Sequence, residues 1–129
     1  MAKGKILIVD DDPDFVAYIR TILESHDYSV VSAGNSDQGM SMLAREKPDL
    51  VILDVIMSSI LDGLSMSQRM AENIEYENTP IIMVTSIANT DYLALFPTDE
   101  SIHISAFLTK PVAPADLLRN VEKLVPVSA

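Results

Sequence analysis

The chain has 129 residues, a length that suits one domain, and 48% of them are hydrophobic, which is enough to build a core. It contains no cysteine, which excludes disulfides and thiolate metal sites, and no apolar stretch approaches the ~20 residues of a membrane span. The formal net charge of −10 opposes direct binding to nucleic acid or to an anionic membrane, so a metal ion or a cationic partner is favoured. The apolar run near the N-terminus is too short for a signal peptide, and we expect a single cytoplasmic domain over residues 1–129.

Strand-like and helix-like segments alternate along the chain. Apolar runs predict five strands, at residues 6–9, 28–32, 50–53, 81–84 and 106–108. Helical spacing and start signals predict four helices. The first begins after Asp12, the second is capped by Ser36, and the other two begin near Leu64 and near Pro114. In the second helix, Met40, Leu43 and Ala44 are expected to face the core. Pro97 falls where a further helix is expected, and it should shorten or displace that helix because proline disrupts a helix interior. The alternation predicts an α/β fold with a parallel sheet covered on both faces.

Acidic residues follow two of the predicted strands. Asp10 and Asp11 come directly after the first strand, and Asp54 comes directly after the third. The carboxyl ends of parallel strands lie at one edge of the sheet, where open α/β sheets bind ligands. Three carboxylates at that edge repel one another, and Mg²⁺ relieves this repulsion because it takes oxygen ligands. The neighbouring Asp12 is interpreted as a helix cap.

Two further predicted strands end at, or are followed by, a residue with a hydroxyl or an amine. Thr85 ends the fourth apolar run, and Lys110, followed by Pro111, comes just after the fifth. Phosphoryl transfer depends on positioning and charge neutralisation. The set therefore predicts a site for one divalent cation and one phosphoryl group, with Asp54 as the nucleophile and Lys110 as the counter-charge. Taken singly, Thr85 and Lys110 also suit a plain strand end and a surface lysine.

Five short motifs occur in order, each after its own strand. They are Ile-Val-Asp-Asp-Asp at 8–12, Leu-Asp-Val-Ile-Met at 53–57, Asp-Gly at 62–63, Val-Thr-Ser at 84–86 and Thr-Lys-Pro at 109–111. With them, the chain resembles the receiver domain of two-component response regulators over essentially its whole length. The resemblance implies a doubly wound, flavodoxin-like sheet of five parallel strands in the order 2-1-3-4-5. It also implies phosphotransfer to Asp54 from a sensor histidine kinase or a phosphotransfer protein, with a downstream protein that the sequence does not identify.

The resemblance assigns roles to individual residues. Asp11 and Asp54 would bind Mg²⁺ directly together with the backbone carbonyl of Ile56, and Asp10 would bind it through water. Thr85 and Phe107 would form the switch pair, in which the hydroxyl moves to the phosphoryl group and the ring follows inward. The Lys110-Pro111 peptide bond is expected to be cis.

The chain departs from the usual family pattern in the loop after Asp54. Serines at 58 and 59 stand where a proline is usual, and Asp62 lies one residue farther from Asp54 than is usual. The family's geometry also places Ile56 and Ile87 beside the path of a hydrolytic water, and apolar side chains there predict slow loss of the phosphoryl group. The segment between Thr85 and Lys110, which contains Pro97, is also a few residues longer than is usual in the family. It belongs to the family's usual dimerisation surface, so both a monomer and a homodimer are left open.

Two alternatives differ in the class of protein. A hydrolase with an aspartyl-phosphate intermediate would usually need a second acid close after Asp54, and Val55 and Ile56 supply none. A receiver-like interaction module without phosphorylation would not need the complete set of acids, hydroxyl and lysine. The sequence leaves open whether the chain stands alone or is a piece of a larger regulator.

Overall fold

The computed structural model describes residues 3–54, 62–85 and 105–125. The strands and helices within these ranges are β1 (Lys5–Val9), α1 (Pro13–Glu24), β2 (Ser29–Ala33), α2 (Ser36–Glu46), β3 (Leu50–Asp54), α3 (Asp62–Ala71), β4 (Ile81–Thr85), β5 (Ala106–Thr109) and α4 (Pro114–Leu124). The five predicted strands are confirmed, and their ends differ from the prediction by one residue at most. The expected helix near Pro97 lies outside the described residues. No helix in the described ranges has the length and apolar character needed to cross a membrane.

All neighbouring strands pair in parallel, in the order β2-β1-β3-β4-β5. This confirms the predicted order and the doubly wound arrangement. β1 lies between β2 and β3, so the carboxyl ends of β1 and β3 are adjacent, with Val9 paired to Leu53. On the other side of β3, Asp54 pairs with Val84 of β4. The strand order therefore brings the ends of β1, β3 and β4 to one edge.

The sheet is covered on both faces, as predicted. Alternate strand residues point to opposite faces, so Ile6 and Ile8 of β1 join one core cluster while Leu7 and Val9 join the other. Helices α1 and α4 bury their apolar residues on the first face, with Ile19, Leu23, Leu117 and Val121 among them. Helices α2 and α3 cover the second face through Leu43, Met66 and Met70. Burial on both faces accounts for the continuous apolar runs of β1, β3 and β4.

Helix α3 begins at Asp62, two residues before its expected start near Leu64, and two details of α2 differ from the prediction. The cap of α2 is Asn35 and not Ser36, because the extended backbone of Asn35 lets its side-chain oxygen accept a hydrogen bond of 2.8 Å from the Gln38 N–H. Ser36 is the first helical residue and is buried. Ala44 is exposed, one step of about 100° around the helix from buried Leu43. The cap of α1 is Asp12, as predicted, and its side chain accepts a hydrogen bond from the Asp14 N–H.

Candidate functional site

The acidic residues predicted from the strand ends lie together. Asp10, Asp11 and Asp54 each offer a carboxylate oxygen, and these oxygens lie within 4.8 Å of one another. Asp10 and Asp54 are 3% and 5% exposed, whereas Asp11 is exposed. Two nearly buried carboxylates at this spacing require positive charge close by. We call Asp10, Asp11 and Asp54 the acid cluster.

Asp10 is held by hydrogen bonds to both of its carboxylate oxygens. The Asp12 N–H donates to Oδ1 at 2.9 Å, and the Lys110 ammonium donates to Oδ2 at 3.0 Å. The backbone N–H of Asp10 continues the strand ladder by donating to the carbonyl of Ala33 at 3.0 Å. The side chain is thus fixed in orientation by the start of α1 and by the residue after β5.

Lys110 reaches the acid cluster from the end of β5, as predicted. Its Nζ lies 3.0 Å from Asp10 Oδ2 and 3.5 Å from Asp54 Oδ2, and its side chain is 20% exposed. Burial alone would lower the pKa of Lys110, but the hydrogen bond to Asp10 and the charges of Asp54 and Asp10 together outweigh burial and raise that pKa. Lys110 is therefore a cation at neutral pH. The Lys110-Pro111 peptide bond is cis, as predicted.

Two aromatic residues of α1 contact the Lys110 segment, and the sequence did not predict either contact. The Lys110 Nζ lies 4.1 Å from the centre of the Phe15 ring. One helical turn later, the Tyr18 hydroxyl donates a hydrogen bond of 2.8 Å to the carbonyl of Val112. Helical spacing of apolar residues groups Phe15 with Val16 and Ile19 on the apolar side of α1 and predicts no further partner. No local signal relates it to a lysine almost a hundred residues away.

The predicted switch residues are described in the backbone alone. Thr85 ends β4 and pairs with Thr109 of β5, and Phe107 pairs with Met83. Since Thr85 follows the partner of Asp54, its backbone lies at the same edge of the sheet. The side chains of Thr85 and Phe107 lie outside the described part of the chain, as does Ile56.

The acid cluster suits Mg²⁺ by its chemistry. Its ligand atoms are carboxylate oxygens, which this hard cation prefers, and Mg²⁺ usually takes only one or two carboxylates and keeps several waters. Among the described residues, Lys110 is the one ammonium beside these three carboxylates, so the cluster keeps an excess of negative charge that a cation would offset. A cleft of about 780 Å³ between α1 and the end of β2 borders the cluster, and Asp10 and Asp11 form part of its wall. The cleft thus reaches the cluster on the side of Asp10 and Asp11.

The fold and the acid cluster with its lysine define a class of protein, the receiver domain. A family model of the response regulator receiver domain matches residues 6–122. An uncharacterized 14.6 kDa protein of Leptolyngbya boryana is 36% identical, over 95% of this chain and 91% of its own length. Protein PilH of Pseudomonas aeruginosa is 30% identical, over 95% of this chain and 98% of its own length. The chain also matches longer transcriptional regulators, and it covers only about half of their length.

A solved structure agrees with these matches. The receiver domain of a signal transduction histidine kinase from Syntrophus aciditrophicus superposes with a TM-score of 0.82 at 27% identity, over 95% of this chain and 89% of that one. The chain belongs to the response regulator receiver domain family of two-component systems.

Proposed function

We propose that Asp54 accepts a phosphoryl group from the phosphohistidine of a sensor histidine kinase or phosphotransfer protein, and that the phosphorylated chain signals to a downstream protein. The observation that carries this proposal is the position of Asp54. It is buried at the carboxyl edge of the sheet, grouped with Asp10 and Asp11, and 3.5 Å from the Lys110 ammonium. Residues 1–129 would act as one cytoplasmic domain.

In the proposed reaction, a carboxylate oxygen of Asp54 attacks phosphorus in line with the donor nitrogen. A P–O bond to Asp54 forms and the P–N bond of the donor breaks, so that the imidazole leaves. Lys110 supplies a fixed positive charge beside the attacked phosphoryl group. The phosphoryl group stays on the chain's own carboxylate, so the chain serves as a regulated acceptor and not as an enzyme for external substrates.

Asp11 and Asp54 would hold Mg²⁺ directly, together with the backbone carbonyl of Ile56. Asp10 would hold it through water, which is supported by the two hydrogen bonds that already occupy its carboxylate oxygens. When bound, Mg²⁺ supplies positive charge to the phosphoryl oxygens.

Thr85 and Phe107 would carry the signal from the site. Their backbones lie on neighbouring strands, β4 and β5, and Thr85 lies at the edge where the acid cluster is found. A hydroxyl there can donate a hydrogen bond to a phosphoryl oxygen. Movement of Thr85 would make room for the Phe107 ring, which would convert phosphorylation into a change of the surface near β5.

The experiment is intact-protein mass spectrometry after incubation with acetyl phosphate and Mg²⁺. We expect the mass gain of one phosphoryl group in the parent and none in Asp54→Asn. Asp37→Asn is the matched control, because Asp37 is an exposed carboxylate paired with Arg69 away from the acid cluster. A parent that gains no mass, or an Asp54→Asn variant that gains as much as the parent, would contradict the proposal.

A further inference from the structure

Phe15 offers the flat face of its ring to the amine of the site. The ring centre lies 4.1 Å from Lys110 Nζ, well inside the distance of about 6 Å at which a ring quadrupole attracts a cation. Asp10 and Asp54 lie within 3.0 and 3.5 Å of the same ammonium. Lys110 is thus held by two carboxylates and by one aromatic ring.

Tyr18 adds a second contact between α1 and the same segment. Its hydroxyl donates a 2.8 Å hydrogen bond to the carbonyl of Val112, two residues after Lys110. Phe15 and Tyr18 are three residues apart, so they lie on the same side of the helix. We call these two residues the aromatic clamp. The clamp joins α1 to residues 110–112 at both ends of that short segment.

We propose that Phe15 is a positioning residue that keeps the Lys110 ammonium in place for phosphoryl transfer. This inference rests on the proposed function of the site. The carboxylates of Asp10 and Asp54 attract Lys110, but a divalent cation bound directly by Asp54 would compete with the ammonium for the charge of that carboxylate. The Phe15 ring has no net charge and no ligand atom for Mg²⁺, so its attraction for the ammonium persists when the cation is bound.

A purely structural role of Phe15 makes a different prediction. Phe15 is half-buried and also packs against the core cluster of α1 and α4. If packing were its whole contribution, a leucine would replace it nearly as well as a tyrosine. If the ring face matters, tyrosine retains the function and leucine does not.

The first measurement is the proton NMR spectrum of the lysine side chains without phosphoryl donor. Protons above an aromatic face are shifted upfield, so the Hε resonances of Lys110 should lie upfield of those of Lys5, Lys47 and Lys123. Lys3 is left out of this comparison because its ammonium lies 5.7 Å from the centre of the Tyr28 ring. This shift should persist in Mg²⁺ and in Phe15→Tyr, and disappear in Phe15→Leu. Lys110 resonances without a ring-dependent shift, or a shift that Mg²⁺ abolishes, would overturn the inference independently of phosphorylation.

The second measurement is the rate constant of phosphorylation by acetyl phosphate at saturating Mg²⁺. Loss of the ring should slow Phe15→Leu on the order of 2- to 30-fold, the range that a cation–π contact corresponds to, while Phe15→Tyr stays within about twofold of the parent. Ile22→Ala is the control for loosened packing of α1, because Ile22 packs on the same core cluster and lies about two helical turns after Phe15. Phe15→Met is a second ring-free variant if Phe15→Leu does not fold.

Equal rates in Phe15→Leu and the parent, or equal losses in the leucine and tyrosine variants, would overturn the role of the ring. A loss in Ile22→Ala as large as in Phe15→Leu would do the same. A parent that is not phosphorylated contradicts the proposed function instead, and the NMR measurement then decides where Lys110 lies.

Discussion

Lys110 Nζ lies 3.0 Å from Asp10 Oδ2, although the two residues are 100 positions apart in the chain. β1 and β5 are not neighbours in the sheet, so the pair spans β3 and β4 across the carboxyl edge. The pair therefore links the two halves of the site, the acids after β1 and the amine after β5.

The ion pair of Lys110 and Asp10 should contribute to the free energy of unfolding in metal-free buffer. Lys110→Met keeps the apolar stem but removes the charge, which leaves Asp10 and Asp54 without their ammonium, so we expect destabilisation. In a double-mutant cycle with Asp10→Asn, the coupling energy should be about 1–3 kcal/mol, because the pair is largely buried. Urea unfolding of the four proteins measures it. A coupling energy below about 0.3 kcal/mol would show that the pair contributes nothing to folding.

Mg²⁺ should bind weakly to the acid cluster and stabilise the fold. At a Mg²⁺ concentration of ten times Kd, the expected gain is about 1.4 kcal/mol, since only the folded chain gathers the three carboxylates. Asp11→Ala should lower the affinity for Mg²⁺ and reduce this gain. Titration of amide NMR shifts near the cluster measures the affinity, with Asp37→Ala as a control for the lost surface charge. Unchanged affinity in Asp11→Ala would remove Asp11 from the ligand set.

Because of Tyr28, the free energy of unfolding should depend on pH in the alkaline range. Its hydroxyl is buried without a hydrogen-bond partner among the described residues, and burial, with a smaller effect of Glu122, raises the pKa of Tyr28 above its ordinary value of 10.0. Well below pH 10 the Tyr28 hydroxyl holds its proton in both the folded and the unfolded chain. As pH rises through the raised pKa, the unfolded chain loses it first, so the stability associated with the neutral hydroxyl is lost.

Tyr28→Phe tests this directly. At pH 7 the variant should be as stable as the parent or more stable by about 1 kcal/mol, because it removes an unsatisfied buried hydroxyl. The difference in the free energy of unfolding should grow in favour of the variant at about pH 11. Urea unfolding at both pH values measures it, and a difference that is the same at both would contradict the assignment.

The phosphorylated state should be long-lived. Ile56 and Ile87, which lie outside the described residues, are apolar at the two positions that flank the hydrolytic water in the family, and neither can orient water. Ile56→Asn and Ile87→Glu should therefore accelerate loss of the phosphoryl group. The decay of phosphorylated protein in Mg²⁺ without kinase measures this. If both variants decay no faster than the parent, apolar shielding does not set the lifetime.

The apolar runs were sufficient to predict the five strands and the edge at which Asp10, Asp54 and Lys110 meet, while the strand order came from the family resemblance. Continuous apolar runs mark strands that are buried on both faces, and a polar residue directly after such a run must lie at a strand end. Parallel pairing then gathers those ends at one edge. For this reason Asp10, Asp54 and Lys110 could be placed together before their distances were known.

Local sequence patterns did not determine the cap of α2, its buried side or the contacts of Phe15. Asn35 and Ser36 are both good cap residues, and only the extended backbone of Asn35 distinguishes them. Helical spacing placed Ala44 inward, but Leu43 marks the buried side of α2 at that turn. The contact between Phe15 and Lys110 arises from the packing of α1 beside the end of β5, which no short-range pattern encodes.

The identity of the phosphorylated atom is the most direct test of the whole account. An aspartyl phosphate is an acyl phosphate, and reduction with borohydride converts its side chain to that of homoserine. After acetyl phosphate and Mg²⁺ treatment, reduction and peptide mapping, we predict homoserine in place of Asp54 and unchanged aspartate at 10, 11 and 12. Homoserine at any of those three positions, or a phosphoryl group on a hydroxyl or imidazole with Asp54 intact, would contradict the account.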